Sequence, residues 1–399
     1  MSAPDWGHAV DLRDVGGEVA IVGIGETAYS KASGRTATEI GAEAAERAIA
    51  DAGLEPADID GLAWSGAFPG FGAAEFHAHF GTDHELWTTP WGGGMAWAGT
   101  VPSLAADAIR DGKARHVLNV FAVAWATQRA EMTGGPGEVH AQQSLKQNLE
   151  VPFGWFPQPI YFATIMRRHM LEFGTTREQF GAVAVTLREH ANRTPSAVFH
   201  DKPLTLDGYL GAPMLADPLC LYDSCPISDG GAAYVMTSVE RSRDLARPPA
   251  VVLGVGEGYS GSGTHWSQQR AFTSTPQVFS APGAWAMAGV GPDDVDVLTC
   301  YDPFTIASIM QIEDMGFCAK GAAGELAASG GLRFDSGRLP YNTHGGLLSH
   351  AYVLGIAHVV ECVKQLRGTA DAQVAGCEVA VYGGYTGHMA STLVLAKAR

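Results

Sequence analysis

Two short segments carry the residue types best suited to proton transfer. One is Tyr301-Asp302-Pro303-Phe304; the other is Asn342-Thr343-His344-Gly345-Gly346-Leu347-Leu348-Ser349-His350-Ala351-Tyr352-Val353-Leu354-Gly355. A phenol with its usual pKa near 10 is a poor base at neutral pH, yet once ionised it is well matched to an alcohol proton. Tyr352 precedes a helical run whose apolar residues are Leu354, Ile356, Ala357, Val359, Val360 and Val363. Its hydroxyl is therefore expected at the positive end of a helix dipole, a field that favours the phenolate. Taken singly, each tyrosine also fits a buried structural role with its hydroxyl satisfied by one hydrogen bond.

Other patterns with chemical potential are weaker. His77-Ala78-His79 and His84 are metal-ligand types, but no second ligand element lies nearby, and no metal is predicted. Ser260 and Ser262 in Gly258-Tyr259-Ser260-Gly261-Ser262-Gly263 have G-x-S-x-G spacing. No helical pattern follows them, as a nucleophile elbow requires, so they read as loop residues. Gly23-Ile24-Gly25 follows a strand but lacks the third glycine of a dinucleotide fingerprint, and reads as a structural turn. The first cysteine is Cys220, and the six cysteines include no Cys-x-x-Cys pair.

The elements that position these residues occur twice. Val19-Ala20-Ile21-Val22-Gly23-Ile24-Gly25-Glu26 recurs as Val251-Val252-Leu253-Gly254-Val255-Gly256-Glu257. Ala52-Gly53-Leu54-Glu55-Pro56-Ala57-Asp58-Ile59-Asp60-Gly61-Leu62 recurs as Ala288-Gly289-Val290-Gly291-Pro292-Asp293-Asp294-Val295-Asp296-Val297-Leu298. Each copy reads strand, helix, strand: Ile40, Ala44, Ala45, Ala48 and Ile49 share one helical face, Gly53 caps the helix, and a Pro-x-Asp turn leads to an apolar strand. A helix closing at Gly112 before His116-Val117-Leu118-Asn119-Val120-Phe121 is matched by one closing at Gly368 before Val379-Ala380-Val381-Tyr382. Alternating βα units with near-continuous apolar strands imply an α/β protein with mixed sheets covered by helices.

The two tyrosine segments resemble the active-site stretches of thiolases, with key residues replaced. Tyr301-Asp302-Pro303-Phe304 stands where thiolases carry N-E-A-F or H-D-C-F, and Ala351-Tyr352 stands where they carry the G-H dipeptide. The nucleophilic cysteine position falls on Met95, and a thioether carries no acyl group. The second family cysteine falls on Val381. Both replacements, with Met315-Gly316-Phe317-Cys318-Ala319-Lys320-Gly321 and Arg338-Leu339-Pro340-Tyr341, are similar to the lipid-transfer-protein thiolase homologues that act as steroid side-chain retro-aldolases.

That resemblance implies a thiolase fold, with duplicated halves in a five-layered αβαβα core and an inserted loop domain. The divisions are 15–122, 123–247 and 248–399. It implies retro-aldol cleavage of a β-hydroxyacyl-CoA, with a steroid side-chain thioester as the expected substrate and a ketone and a short acyl-CoA such as propionyl-CoA as products. Tyr301 and Tyr352 are the expected acid–base pair. His344 is placed to orient a water or the thioester oxygen, and Asp302 to position Tyr301. Gly345, Gly346 and a Gly383-Gly384 turn are candidate oxyanion donors. Met95 and Trp97, the latter in a tryptophan-rich stretch from Trp87, are expected to shape the acyl pocket. No cofactor is implied beyond the coenzyme A of the substrate. A homodimer and a small OB-fold acyl-CoA-binding partner are the implied assemblies. Two alternatives are an acyltransferase using Cys300 or Cys318 and a non-catalytic acyl-CoA-binding subunit.

Composition narrows the remainder. A chain of 399 residues, 46% hydrophobic and with 50 glycines, suits a large, tightly packed enzyme core. No apolar run of membrane-spanning length and no signal-peptide pattern is visible, so a cytoplasmic protein is expected, without membrane attachment. The formal charge of −16, with no basic stripe, argues against nucleic acid. It also leaves any phosphate binding to local clusters, for which Arg167, Arg168, Arg188, Arg193 and Lys202 are candidates.

Overall fold

Thr36 opens the helix Ala37–Ala52 by accepting from the backbone N–H of Glu39, while the Glu39 carboxylate accepts from the N–H of Thr36. This reciprocal cap satisfies two donors that a helix start leaves free. Gly53 ends the helix at φ 73°, and Ile40, Ala44, Ala45, Ala48 and Ile49 are all buried against the sheet. The computed structural model that shows this describes residues 4–68, 70–129, 146–261 and 266–398; Ser262 lies outside the described residues.

The strands are β1 (Gly7–Ala9), β2 (Val19–Glu26), β3 (Gly61–Ala63), β4 (Trp87–Thr89), β5 (Val117–Ala124), β6 (Met214–Ala216), β7 (Leu219–Cys220), β8 (Asp229–Ser238), β9 (Ala250–Ser260), β10 (Val297–Cys300), β11 (Val379–Tyr385) and β12 (Met389–Lys397). In the first half the order is β2-β8-β5-β3-β4, and in the second β10-β11-β12-β9, with β1 on β9. The halves join where Ala20 and Ile21 of β2 pair with Val251 and Ala250 of β9. Strands β6 and β7 form a separate two-stranded ribbon. Strand β8, inside the 123–247 span, runs antiparallel between β2 and β5. The first half's sheet thus includes a strand from the intervening segment.

Five layers result. The helix Ala37–Ala52 covers β2, β8 and β5 on one side, and the helix Gln277–Ala288 covers β9 and β12 on the other. Between the two groups of strands lie the first inner helix, Met95–Arg110, and the second inner helix, Ile356–Arg367, each touching strands of both halves.

The repeated glycines have a common physical reason. A Cβ on Gly23 or Gly25 would lie 2.2 Å or 2.3 Å from carbonyl oxygens of Ala48 and Ala44. On Gly254 or Gly256 it would lie 2.3 Å or 1.9 Å from those of Ala284 and Ser280. These residues lie within strands, not in a turn, and their missing side chains let an outer helix close onto each half of the sheet. Among the described residues no helix is long and apolar enough to cross a membrane.

Candidate active site

Strand β10 ends at Cys300 and delivers Tyr301 to the inner layer. The Tyr301 N–H donates to the Gly383 carbonyl at 2.9 Å, and its own carbonyl accepts from Gln311 Nε2 at 2.7 Å. Tyr352 arrives from the other direction, after the short helix Gly346–Ser349, with its N–H donating to Ser228 Oγ at 2.9 Å. The two phenol oxygens stand 3.3 Å apart. The Trp125 ring centroid lies 5.1 Å from that of Tyr352, at an interplanar angle of 42°.

The dipole expectation for Tyr352 is corrected. The second inner helix starts at Ile356 behind Gly355, so Tyr352 lies outside its first turn, where the dipole fades. Burial pushes both phenols up, Tyr301 well above its ordinary value. Removing a phenolate from water outweighs the local field. The pair is asymmetric: the Tyr301 hydrogen bond lowers Tyr352, whereas Tyr352 raises Tyr301.

Asp302 does not reach back to the phenols. Its carboxyl, fully buried, accepts from the N–H groups of Leu347 at 2.8 Å and Leu348 at 3.4 Å, and is hydrogen-bonded to His358 Nε2 at 2.9 Å. It therefore anchors the loop that precedes Tyr352. Gly346, at φ 62°, leaves the room this needs: a Cβ would lie 2.2 Å from Asp302 Oδ2. Gly345 is excluded as an oxyanion donor because its N–H already donates to the Asn342 carbonyl at 2.8 Å. Asn342, itself at φ 45°, clamps β10 through its side-chain amide, which bonds both N–H and C=O of Cys300. His344 is buried edge-on to His350 and His358, with ring centroids 5.0 Å and 4.6 Å away. Burial first, and the neighbouring imidazoles second, hold its pKa well below the ordinary value, so it is neutral.

Met95 starts the first inner helix in the left-handed region at φ 53°, an unusual backbone for a side chain other than glycine. Its N–H donates to the Leu354 carbonyl, and its carbonyl accepts from Tyr382 Oη at 2.8 Å. Gly383 and Gly384 lie in strand β11, not in a turn. A Cβ on Gly384 would meet Ala96 Cα at 2.7 Å and the Met95 carbonyl at 2.8 Å, so this glycine lets the strand approach the helix start. Trp97 lies beside Trp91, 6.4 Å between centroids, whose residue surface is 61% exposed.

The remaining candidates are occupied elsewhere. Cys300 is fully buried, with a thiol pushed well above its ordinary value by burial and then by Asp302; burial pushes Cys318 up to about 11. Neither is poised as a thiolate nucleophile. His77, His79 and His84 bond Thr82 Oγ1, Glu46 Oε1 and the Ile59 carbonyl at 2.9, 2.7 and 2.7 Å. Ser260 ends β9, its N–H bonded to the His388 carbonyl. Arg167 and Arg168 pair with Asp217 and Glu172, and Arg193 lies over Phe334. Arg188, nearly buried, donates to Ser349 Oγ at 3.0 Å and to the Lys202 carbonyl at 2.9 Å.

Sequence reasoning passed over Trp125, Ser228, His358 and Tyr382, and noted Cys225 only as one of six thiols. Cys225 stands close enough to Tyr301, Tyr352 and Asp302 for their charges to act on one another. Nothing in its local sequence marks it; it arrives through a backbone bond from its N–H to the Pro303 carbonyl.

A duplicated five-layered α/β core with paired phenols and no cysteine at the head of the inner helix defines a thiolase-like protein of the non-acylating kind. Residues 258–397 match the family described as Thiolase C-terminal domain-like. The chain is 37% identical to the "Steroid side-chain-cleaving aldolase" of Thermomonospora curvata over 95% of its length and 98% of that protein's. It is 36% identical to the "17-hydroxy-3-oxo-4-pregnene-20-carboxyl-CoA lyase" of Mycobacterium tuberculosis, covering 95% and 99%. The structure superposes on the "Ltp2-ChsH2(DUF35) aldolase" with a TM-score of 0.87 at 35% identity, over 97% of this chain and all of that one. The chain belongs to the thiolase-like family of side-chain-cleaving aldolases.

Proposed function

We propose that the protein is a carbon–carbon lyase that cleaves a β-hydroxyacyl-CoA by a retro-aldol reaction. The observation that carries this reading is the 3.3 Å approach of the Tyr301 and Tyr352 hydroxyls in a site where Met95 replaces a nucleophile. Tyr352 is the base, because it is half-buried whereas Tyr301 is buried, so its phenolate gives up less hydration. Its phenolate takes the β-hydroxyl proton, the Cα–Cβ electron pair becomes the thioester enolate, and the β carbon leaves as a ketone. Tyr301 donates to the developing charge, and protonation of the enolate carbon completes the shortened acyl-CoA. No bond to the enzyme forms, so the loss of the cysteine costs the reaction nothing. Gly346, Gly383, Gly384 and Met95 shape the backbone around this space, while Asp302, with His344 and His358 beside it, holds the loop that carries Tyr352.

The names of the relatives support a steroid side-chain CoA thioester as substrate and a short acyl-CoA such as propionyl-CoA as product. The solved aldolase is named together with ChsH2(DUF35), which supports assembly with a partner protein, and a small OB-fold acyl-CoA-binding protein is the partner proposed. Phe153, Leu171, Met214 and Leu215, exposed on the middle segment, offer apolar surface for such an assembly. A homodimer, a requirement for no cofactor besides substrate coenzyme A, and a cytoplasmic setting suited to six free thiols complete the reading.

The test is mass spectrometry of the products from a panel of β-hydroxyacyl-CoAs. Equimolar ketone and shortened acyl-CoA are expected. Free coenzyme A together with an acylated Cys300 or Cys318 would instead establish acyl transfer.

A further inference from the structure

We infer that Trp125, with Phe68 beside it, is the surface on which the ketone-forming part of the substrate lies, and that Trp125 selects flat, fused-ring β-substituents over flexible chains. This rests on the retro-aldol reading and adds the residue that sets its substrate range. To lose its proton to Tyr352, the β-hydroxyl must come within hydrogen-bond reach, about 2.6–3.2 Å, of that phenol. The groups on the β carbon are then delivered to whatever flanks the Tyr352 ring. That neighbour is the half-buried Trp125 indole, centroid 5.1 Å away. Phe68, also half-buried, meets Trp125 edge-on at 5.7 Å, and buried Phe121 backs Phe68 at 6.3 Å. The phenol and indole, tilted by 42° with centroids 5.1 Å apart, pack against each other, so the indole continues the aromatic face that starts at the base. A rigid ring system lies along such a face with little ordering entropy, whereas an acyclic chain must surrender rotamers to do so.

The indole is held for this purpose. Asp229 is buried, and its carboxylate accepts from the N–H groups of Ala126 and Thr127 at 2.7 and 3.1 Å and from Thr127 Oγ1 at 2.5 Å. It also accepts from the N–H and Oγ of Ser33 at 2.7 and 2.9 Å. These bonds fix the turn that begins at Trp125. The preceding residue, Ser228, accepts the Tyr352 N–H. One dipeptide, Ser228-Asp229, therefore sets the register of both the base and the aromatic wall, the kind of support that keeps a site from loosening.

The test uses the full chain and two uncleavable ligands of equal carbon count, both lacking the β-hydroxyl: a fused-ring steroid side-chain acyl-CoA and an acyclic acyl-CoA. Calorimetry should show at least about tenfold tighter binding of the ring ligand by wild type, most of that preference kept in Trp125→Phe, and its loss in Trp125→Leu and reduction in Phe68→Leu. No preference in wild type, or an unchanged one in a folded Trp125→Leu, overturns the inference; should that variant not fold, an unchanged preference in Phe68→Leu does so. A preference that depends on Trp125, in an enzyme that cleaves no β-hydroxy thioester, upholds the aromatic wall and defeats the retro-aldol reading instead.

Discussion

Tyr301 and Tyr352, 51 residues apart in the chain, bring their hydroxyl oxygens to 3.3 Å from opposite directions, one from the end of strand β10 and the other from the loop before the second inner helix. At that distance a charge on one is shared with the other, and the two titrate as a pair. The proposed chemistry draws on this coupling, which substitution and pH can each probe.

Tyr352→Phe and Tyr301→Phe should each retain the fold and lower kcat by roughly a hundredfold or more, the scale of a general acid–base group. The loss should be larger for Tyr352→Phe, because its phenol is the one that ionises first. Near-normal turnover in a folded variant would remove that tyrosine from the chemistry.

The pH dependence follows from the direction of the shifts. Burial raises both phenols, so at neutral pH the pair holds its protons and only a small fraction is active as base. Raising the pH increases that fraction, and kcat/KM should climb about tenfold per unit between pH 7 and 9 without a plateau. A flat profile over that range would mean that the base is not one of these phenols.

Gly346→Ala combines a left-handed backbone with a collision at Asp302, whereas Gly376, at φ 71°, has open space where a Cβ would go. Alanine at 376 should cost about 1 kcal/mol of stability, the price of the conformation alone. Alanine at 346 should cost more, and should also reduce activity by displacing the loop that carries Tyr352. Thermal melts of the two variants make the comparison; equal melting temperatures would show that Asp302 moves aside freely.

Met95→Ala should leave the bond-breaking step largely intact, since a thioether supplies neither proton nor attachment. Its side chain is only partly buried, so the stability loss should fall below about 2 kcal/mol, the low end for methionine truncation. Met95→Cys should not catalyse thiolysis of acetoacetyl-CoA, because no imidazole replaces Tyr352 to keep the new thiol ionised. Thiolysis by that single variant would show that the tyrosine is not the decisive change.

The repeated strand–helix–strand units, the capped helix Ala37–Ala52 and the two tyrosines were legible in the chain itself, because each is written in local spacing: apolar periodicity, a glycine cap, a motif of adjacent residues. Met95 at the head of its helix was legible only through the resemblance to thiolases, by its position relative to Ile109. What neighbours what across the layers was not. Trp125, Ser228 and Cys225 reach Tyr352 through strand register and loop closure over more than a hundred residues, which no local pattern encodes. The glycine pair 383–384 read as a turn with oxyanion donors, but it lies in a strand, and at Gly384 the missing side chain makes room for a helix start. Local sequence thus determined which groups are available and in what elements. Tertiary structure alone decided their protonation and partners, because both depend on how completely water is excluded and on which side chains the folded layers bring within a few ångströms.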